Sequence, residues 1–242
     1  MKLNLRFRGL FGNPNGLAIS SLLLLFLFNH IRVIYKSLFS KNEIIIIVII
    51  LLLNIFLSES RSCIVALFVY YSFIFLLNYS IQIAVVFSSF IVISYGFISL
   101  NPIEFIKILG LESSIRLETI ENASGRYVAW NFLMNKIDYS NIFFGNGLGS
   151  TELLFKKNYS LLSRLGHEGN AHNSFLTIWY DTGLLGLLSF LSFIIYSAFN
   201  SNNFIRTIPI FFGFFISAFY ESWLSASLNP FTIIFFTYYC FF

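Results

Sequence analysis

Between Ser124 and Gly186 the chain gathers residue types that can do chemistry, in the segments SGRYVAWNFLMNKI, FFGNGLGS and GHEGNAHNSFLTIWYDTGLLG. Arg126 offers a guanidinium, which can grip phosphate oxygens through two parallel N–H bonds. Its plain alternative is a side chain snorkelling to lipid headgroups. His172-Asn173 stands where polar sequence enters a long apolar run. An imidazole there is held on a rigid element at the membrane interface, where it can accept a proton from a sugar hydroxyl or hold a phosphate. An ordinary interfacial histidine would occupy the same place. Asp181 falls nine residues into that run, where a functional role and pairing with a basic group of another helix are equally open. Arg61, with Glu59, lies between two short apolar runs. Ionisable groups near membrane depth are functional candidates, with mutual pairing as the alternative.

Spacing removes two other chemistries. In His167-Glu168-Gly169-Asn170-Ala171-His172 the second histidine falls five positions after the first, whereas two imidazoles share a zinc only one helical turn, four positions, apart. Gly145-Asn146-Gly147-Leu148-Gly149 lacks the Lys-Ser/Thr of a phosphate loop and the spacing of a dinucleotide fingerprint. It reads first as a tight turn where backbone passes close to something. Cys63 and Cys240 lie far apart in apolar runs and suggest neither a disulfide framework nor a metal site.

These residues need elements to position them, and composition says what kind. The chain has 242 residues, 57% hydrophobic and 11% charged, with a mean hydropathy of +0.78. Soluble domains carry about a quarter charged residues, so this is an integral membrane protein. Apolar runs predict spans over 17–35, 44–57, 64–77, 81–100, 173–199 and 208–223, and a short seventh after Asn229-Pro230. The fold class expected is all-α, a polytopic bundle of about six or seven helices with one long helical extramembrane loop. Three regions follow: N-terminal spans over 1–100, a loop over 101–171 and C-terminal spans over 172–242. Ser124 is placed to cap a helix in which Arg126, Trp130, Leu133 and Ile137 share one face. The seven basic and seven acidic residues of 101–171 cancel, so the net charge of +4 belongs to the membrane part. Orientation is not readable from charge. Lys2, Arg6, Arg8 and Arg61 on alternate sides stand against Arg32, Lys36, Lys41 and Arg206.

In order, GLFGNPNGLA (9–18), SESRS (58–62), SGRYVAW (124–130), FFGNGLGS (143–150), HNSFLTIWYDTGLLGL (172–187) and YESW…NP (220–230) resemble the O-antigen ligase and O-antigen polymerase family of bacterial membrane glycosyltransferases. The resemblance implies a large loop on the periplasmic face of the inner membrane. It implies transfer of a glycan from undecaprenyl pyrophosphate to a sugar acceptor, such as a lipid A core or a growing polysaccharide, with no metal or other cofactor and no nucleic acid involved. Residue by residue, Arg61 matches the family's Ser-Arg position, Arg126 its loop arginine and His172 its loop-end histidine, all expected to be catalytic. Asn173, Gly145, Gly147, Gly149 and Asp181 are expected to contact substrate. Family members usually carry further helices before the GLFGNPNG region, so the chain resembles the C-terminal two-thirds of such a protein, and a truncated, inactive member is an alternative. Another is the polymerase rather than the ligase. A non-enzymatic transporter or flippase subunit would call for broken helices paired across an internal repeat, and the sequence shows no such repeat.

Overall fold

A computed structural model describes residues 6–100, 125–164, 167, 169–201, 204–224 and 230–239. Every regular element among them is an α-helix: α1 (Pro14–Ile34), α2 (Lys41–Leu57), α3 (Arg61–Leu77), α4 (Ile81–Leu100), α5 (Gly125–Met134), α6 (Ser150–Lys157), α7 (Tyr159–Arg164), α8 (Ser174–Phe199), α9 (Phe204–Tyr220) and α10 (Pro230–Tyr239). Three are long and apolar enough to cross a membrane, namely α1, α4 over Ile81–Ile98, and α8. Helices α2, α3 and α9 have 17 residues each, about 25 Å at 1.5 Å per residue, against a hydrocarbon core of about 30 Å. About a third of the expected loop, residues 101–124 with the cap candidate Ser124, lies outside the described residues, as does Glu168.

The helix boundaries follow local chemistry. Asn13 caps α1 by accepting the Asn15 N–H, and Pro14 occupies the first turn, where its missing N–H costs nothing. Ser40 and Glu43 form a reciprocal capping box that starts α2 three residues before its apolar run. Helix α3 likewise begins at Arg61 rather than at the first apolar residue. The turn between α2 and α3 is made by Glu59, whose φ is +53°.

The chain divides into two compact units. The first holds residues 1–85, 194–217 and 228–242. Within it α1 is buried almost all round, through Leu17, Ala18, Ile19, Leu22, Leu23, Leu25 and Phe26, and packs on α2, α3 and α10. Phe26 meets Tyr70 at 4.5 Å and Phe214 at 5.7 Å between ring centroids. A Cβ at Gly213 would stand 2.4 Å from the Phe26 ring, so the glycine is what lets that ring in. Arg6 ties the entry of α1 to the exit of α2, donating to the Ser58 carbonyl at 2.8 Å and to Asn15 Oδ1 at 2.9 Å. Ile45, Ile46, Ile49, Ile50, Leu53 and Phe56 of α2 are all at least half exposed, a contiguous apolar face suited to lipid rather than water.

The second unit holds residues 86–193 and 218–227. Its core is aromatic. Trp130 of α5 packs edge-on against Phe219 at 5.4 Å, and Phe132 against Phe155 of α6 at 5.5 Å. Leu133, Phe155, Leu162 and Trp223 are almost wholly buried. Helix α5 buries Trp130 and Leu133 as the spacing predicts, and Ala129 besides, but ends at Met134, before Ile137 is reached. This unit contains the polar island.

Candidate active site

Arg126, His172 and Glu221 meet in the second unit. Arg126 Nη2 donates to Glu221 Oε1 at 2.7 Å, and His172 Nδ1 lies 3.2 Å from Glu221 Oε2. One carboxylate thus joins a guanidinium from the first turn of α5 to an imidazole from the entry of α8. Glu221 follows the last residue of α9 and is 6% exposed. Burial, the largest single influence, pushes its carboxyl up. The hydrogen bond and charge of His172, with the charge and hydrogen bond of Arg126, outweigh burial and hold it below the usual range. The Arg126 guanidinium sits 5.8 Å from the Tyr220 ring centroid, within cation–π reach, and Tyr220 is itself anchored by donating to the Tyr95 carbonyl at 3.1 Å. The Arg126 side chain is 33% exposed. Among the described residues it makes no second hydrogen bond.

The backbone around His172 is over-determined. His172 has φ +48°, a left-handed conformation that few non-glycine residues adopt. It is held there from both sides. Trp130 Nε1 donates to the Ala171 carbonyl at 2.9 Å, the His172 N–H donates to Asn170 Oδ1 at 3.2 Å, and the Asn173 N–H donates to Ser222 Oγ at 3.0 Å. Ser174 Oγ donates to the Glu221 carbonyl at 2.6 Å and accepts the Leu224 N–H at 3.1 Å. These last bonds stitch the start of α8 to the segment carrying Glu221. Asn173 Oδ1 accepts the Leu176 N–H at 2.9 Å and so caps α8. His167 stacks edge-on to His172 at 5.7 Å, and its Nε2 accepts the Asn170 N–H at 3.1 Å.

The remaining polar residues of the island form a junction within the same unit. Helix α8 is broken at Gly183, with φ 74° and ψ −179°. The 141–149 loop enters the break: Asn146 N–H donates to the Tyr180 carbonyl, Gly147 N–H to the Asp181 carbonyl, and Leu184 and Leu185 N–H to the carbonyls of Ile142 and Phe143. The approach is closer than a side chain allows, since a Cβ at Gly145 would stand 2.4 Å from the Asp181 carbonyl oxygen. Gly147 and Gly149 have open space around them but φ values of 99° and 80°. The Asp181 carboxylate caps α6. It accepts the N–H groups of Gly149 and Thr151 at 3.0 and 2.8 Å, and the hydroxyls of Ser150 and Thr151 at 2.9 and 2.6 Å. Its partner is therefore a helix N-terminus, not a base. Asp181→Asn, which places an amide NH2 among four donors, is expected to lower unfolding free energy by about 2 kcal/mol, read as a lower thermal midpoint of the detergent-purified protein.

An O-antigen ligase family model matches residues 46–191, more than half of the chain. The chain belongs to the O-antigen ligase family. Searches of curated proteins and of solved structures return no match. Membership makes this a membrane protein of glycan transfer in polysaccharide biosynthesis, and the apolar helices agree. The matched region contains SESRS, SGRYVAW, FFGNGLGS and HNSFLTIWYDTGLLGL, but neither GLFGNPNGLA nor YESW.

Of the residues singled out in this family member, Arg126 and His172 come together, and Asn173 is adjacent as the cap of α8. Gly145, Gly147, Gly149 and Asp181 build the loop–helix junction, where the Gly145 N–H is bonded to the Asn141 carbonyl and the other two glycine N–H groups to Asp181. Arg61 belongs to the first unit, where it is exposed at the first position of α3. Among the described residues it makes no ion pair with Glu59. Glu221 is the residue that the spacing arguments passed over. The available signal was a lone carboxylate at the end of an apolar run, in YESW.

The lowered pKa of Glu221 has a testable consequence. Its folded value lies below its unfolded one, so its contribution to stability is fully present above the ordinary glutamate range and is lost as pH falls through the folded value. Thermal midpoints should fall on acidification below about pH 4.5, and Glu221→Gln should remove that part of the slope.

Proposed function

We propose that the chain transfers a glycan from undecaprenyl pyrophosphate to a sugar hydroxyl at the outer face of the inner membrane. The observation that carries this reading is the shared carboxylate, which puts an arginine and a histidine side by side at the entry of a membrane helix. In the reaction the bond between the anomeric carbon and the pyrophosphate oxygen breaks, and a bond to the acceptor oxygen forms. The acceptor proton passes to His172, acting as general base. The negative charge developing on the leaving pyrophosphate is met by Arg126, whose remaining N–H groups face no protein partner among the described residues. In this reading guanidinium charge takes the role that a metal ion plays elsewhere, and Arg61, in the first unit, is proposed as a further phosphate-binding arginine. Asn173 holds the base by capping its helix, and the Asp181 junction braces the wall of the site. The acceptor in this reading is a sugar of a lipid A core, which is compatible with a family named for O-antigen ligase.

Arg126→Lys tests the role of the guanidinium. It keeps the charge but loses the planar fork. Transfer should fall by about ten- to a hundred-fold, the equivalent of one charge-assisted hydrogen bond of about 1.5–3 kcal/mol. The measurement is long glycan on the lipid core in a deletion strain complemented with the variant. Full transfer by the lysine variant would overturn the role given to Arg126.

A further inference from the structure

We propose that Glu221 is a positioning residue, which holds His172 protonated on Nδ1 and leaves Nε2 as the proton-accepting nitrogen. The inference deepens the transfer reading and rests on it. A carboxylate can only accept hydrogen bonds. With Glu221 Oε2 3.2 Å from Nδ1, a neutral His172 must carry its proton there, and Nε2 keeps its lone pair. Among the described residues Nε2 has no hydrogen-bond partner, so it is the nitrogen available to a substrate hydroxyl. The ring is held by contacts of its own, the Nδ1–Glu221 pair and the edge-on packing of His167 at 5.7 Å, on a backbone fixed by the bonds at Ala171, His172 and Asn173.

Among the described residues, the titratable or charged groups that face the ring or its partner are Glu221 after α9, Arg126 on α5, His167 in the segment before α8, and Tyr220 at the end of α9 beside Arg126. Arg126 holds the other oxygen of the carboxylate, so the guanidinium fixes the acceptor to which His172 donates.

The chain has three histidines, so uniformly 15N-histidine-labelled protein gives three imidazole spin systems, assigned by their loss in His172→Asn and His167→Asn. Long-range 1H–15N spectra are expected to show His172 protonated on Nδ1 when neutral. The Nδ1-protonated share should fall in Glu221→Gln, whose amide can donate to Nδ1 as well as accept from it, and recover in Glu221→Asp. A native His172 protonated on Nε2 overturns the proposal without reference to any variant. So does an unchanged tautomer in Glu221→Gln. These spectra do not depend on turnover. Should they come out as expected while His172→Asn transfers glycan normally, the transfer reading fails and the Glu221–His172 pairing stands. Should His172→Asn be inactive while Glu221→Gln leaves the spectra unchanged, Glu221 alone loses its role.

Discussion

His172→Asn is expected to reduce glycan transfer by about a hundred- to ten-thousand-fold, the range a positioned general base contributes, while leaving the fold intact. Asparagine is chosen because the site demands φ +48°, a region that asparagine enters more readily than most residues. It also keeps a polar group within reach of the partly exposed interface. Alanine would lose the side chain and meet the backbone strain together, and a dead alanine variant could not separate the two. The measurement is long glycan on the lipid core in the complemented deletion strain, paired with the thermal midpoint of the purified variant. Loss of transfer at an unchanged midpoint assigns the effect to the imidazole. Full transfer would mean that no proton passes through His172.

Gly183→Ala is expected to destabilise the protein by about 3 kcal/mol or more. Two costs combine at one atom. The glycine holds φ 74° and ψ −179°, a conformation open in practice to glycine alone, with a strain of about 1–3 kcal/mol for any other residue. The added Cβ would also stand 2.1 Å from the Phe143 carbonyl oxygen and 2.4 Å from the Phe144 N. Those are backbone atoms, so no rotamer change relieves the contact, and overpacking of this kind costs about 1–3 kcal/mol more. The loop of 141–149 would be pushed out of the break in α8, taking with it the Asp181 cap of α6. Yield and thermal midpoint in detergent read the effect directly. A Gly147→Ala control is informative. Its Cβ would meet nothing within 4 Å and only its φ of 99° opposes a side chain, so its cost should be smaller. Equal stability of Gly183→Ala and the native protein would show that the break in the helix is not required.

Much of the architecture was legible from one dimension. Runs of Ile, Leu and Phe identified the apolar helices, because a membrane segment must satisfy its backbone bonds internally and present hydrocarbon outward. The boundaries were less legible. Ser40-Lys41-Asn42-Glu43 is polar but forms a capping box, and so α2 begins before its apolar run. The junction of α2 and α3 turns at Glu59 by adopting a positive φ, which no composition rule foretells for a glutamate.

For the site, spacing by itself dismissed the zinc and nucleotide readings, because those ligands require fixed separations along the chain. Residue type left Arg126 and His172 open between plain and functional roles, and the resemblance to the family brought them forward. The sequence also foresaw that the glycines of GNGLG pass close to something. Only the tertiary structure decided what that something is, the broken turn of α8 at Asp181–Gly183. It likewise showed Asp181, for which the sequence leaves a functional role and pairing with a basic group equally open, to be the cap of α6. Above all it supplied Glu221, which lies 95 positions from Arg126 and 49 from His172. Local pattern can show that a carboxylate stands alone at the end of an apolar run. Which two cations fold back onto it depends on how α5, α8 and the segment after α9 pack. That packing is set by Trp130, Phe219 and the Ser174 bonds rather than by any spacing along the chain.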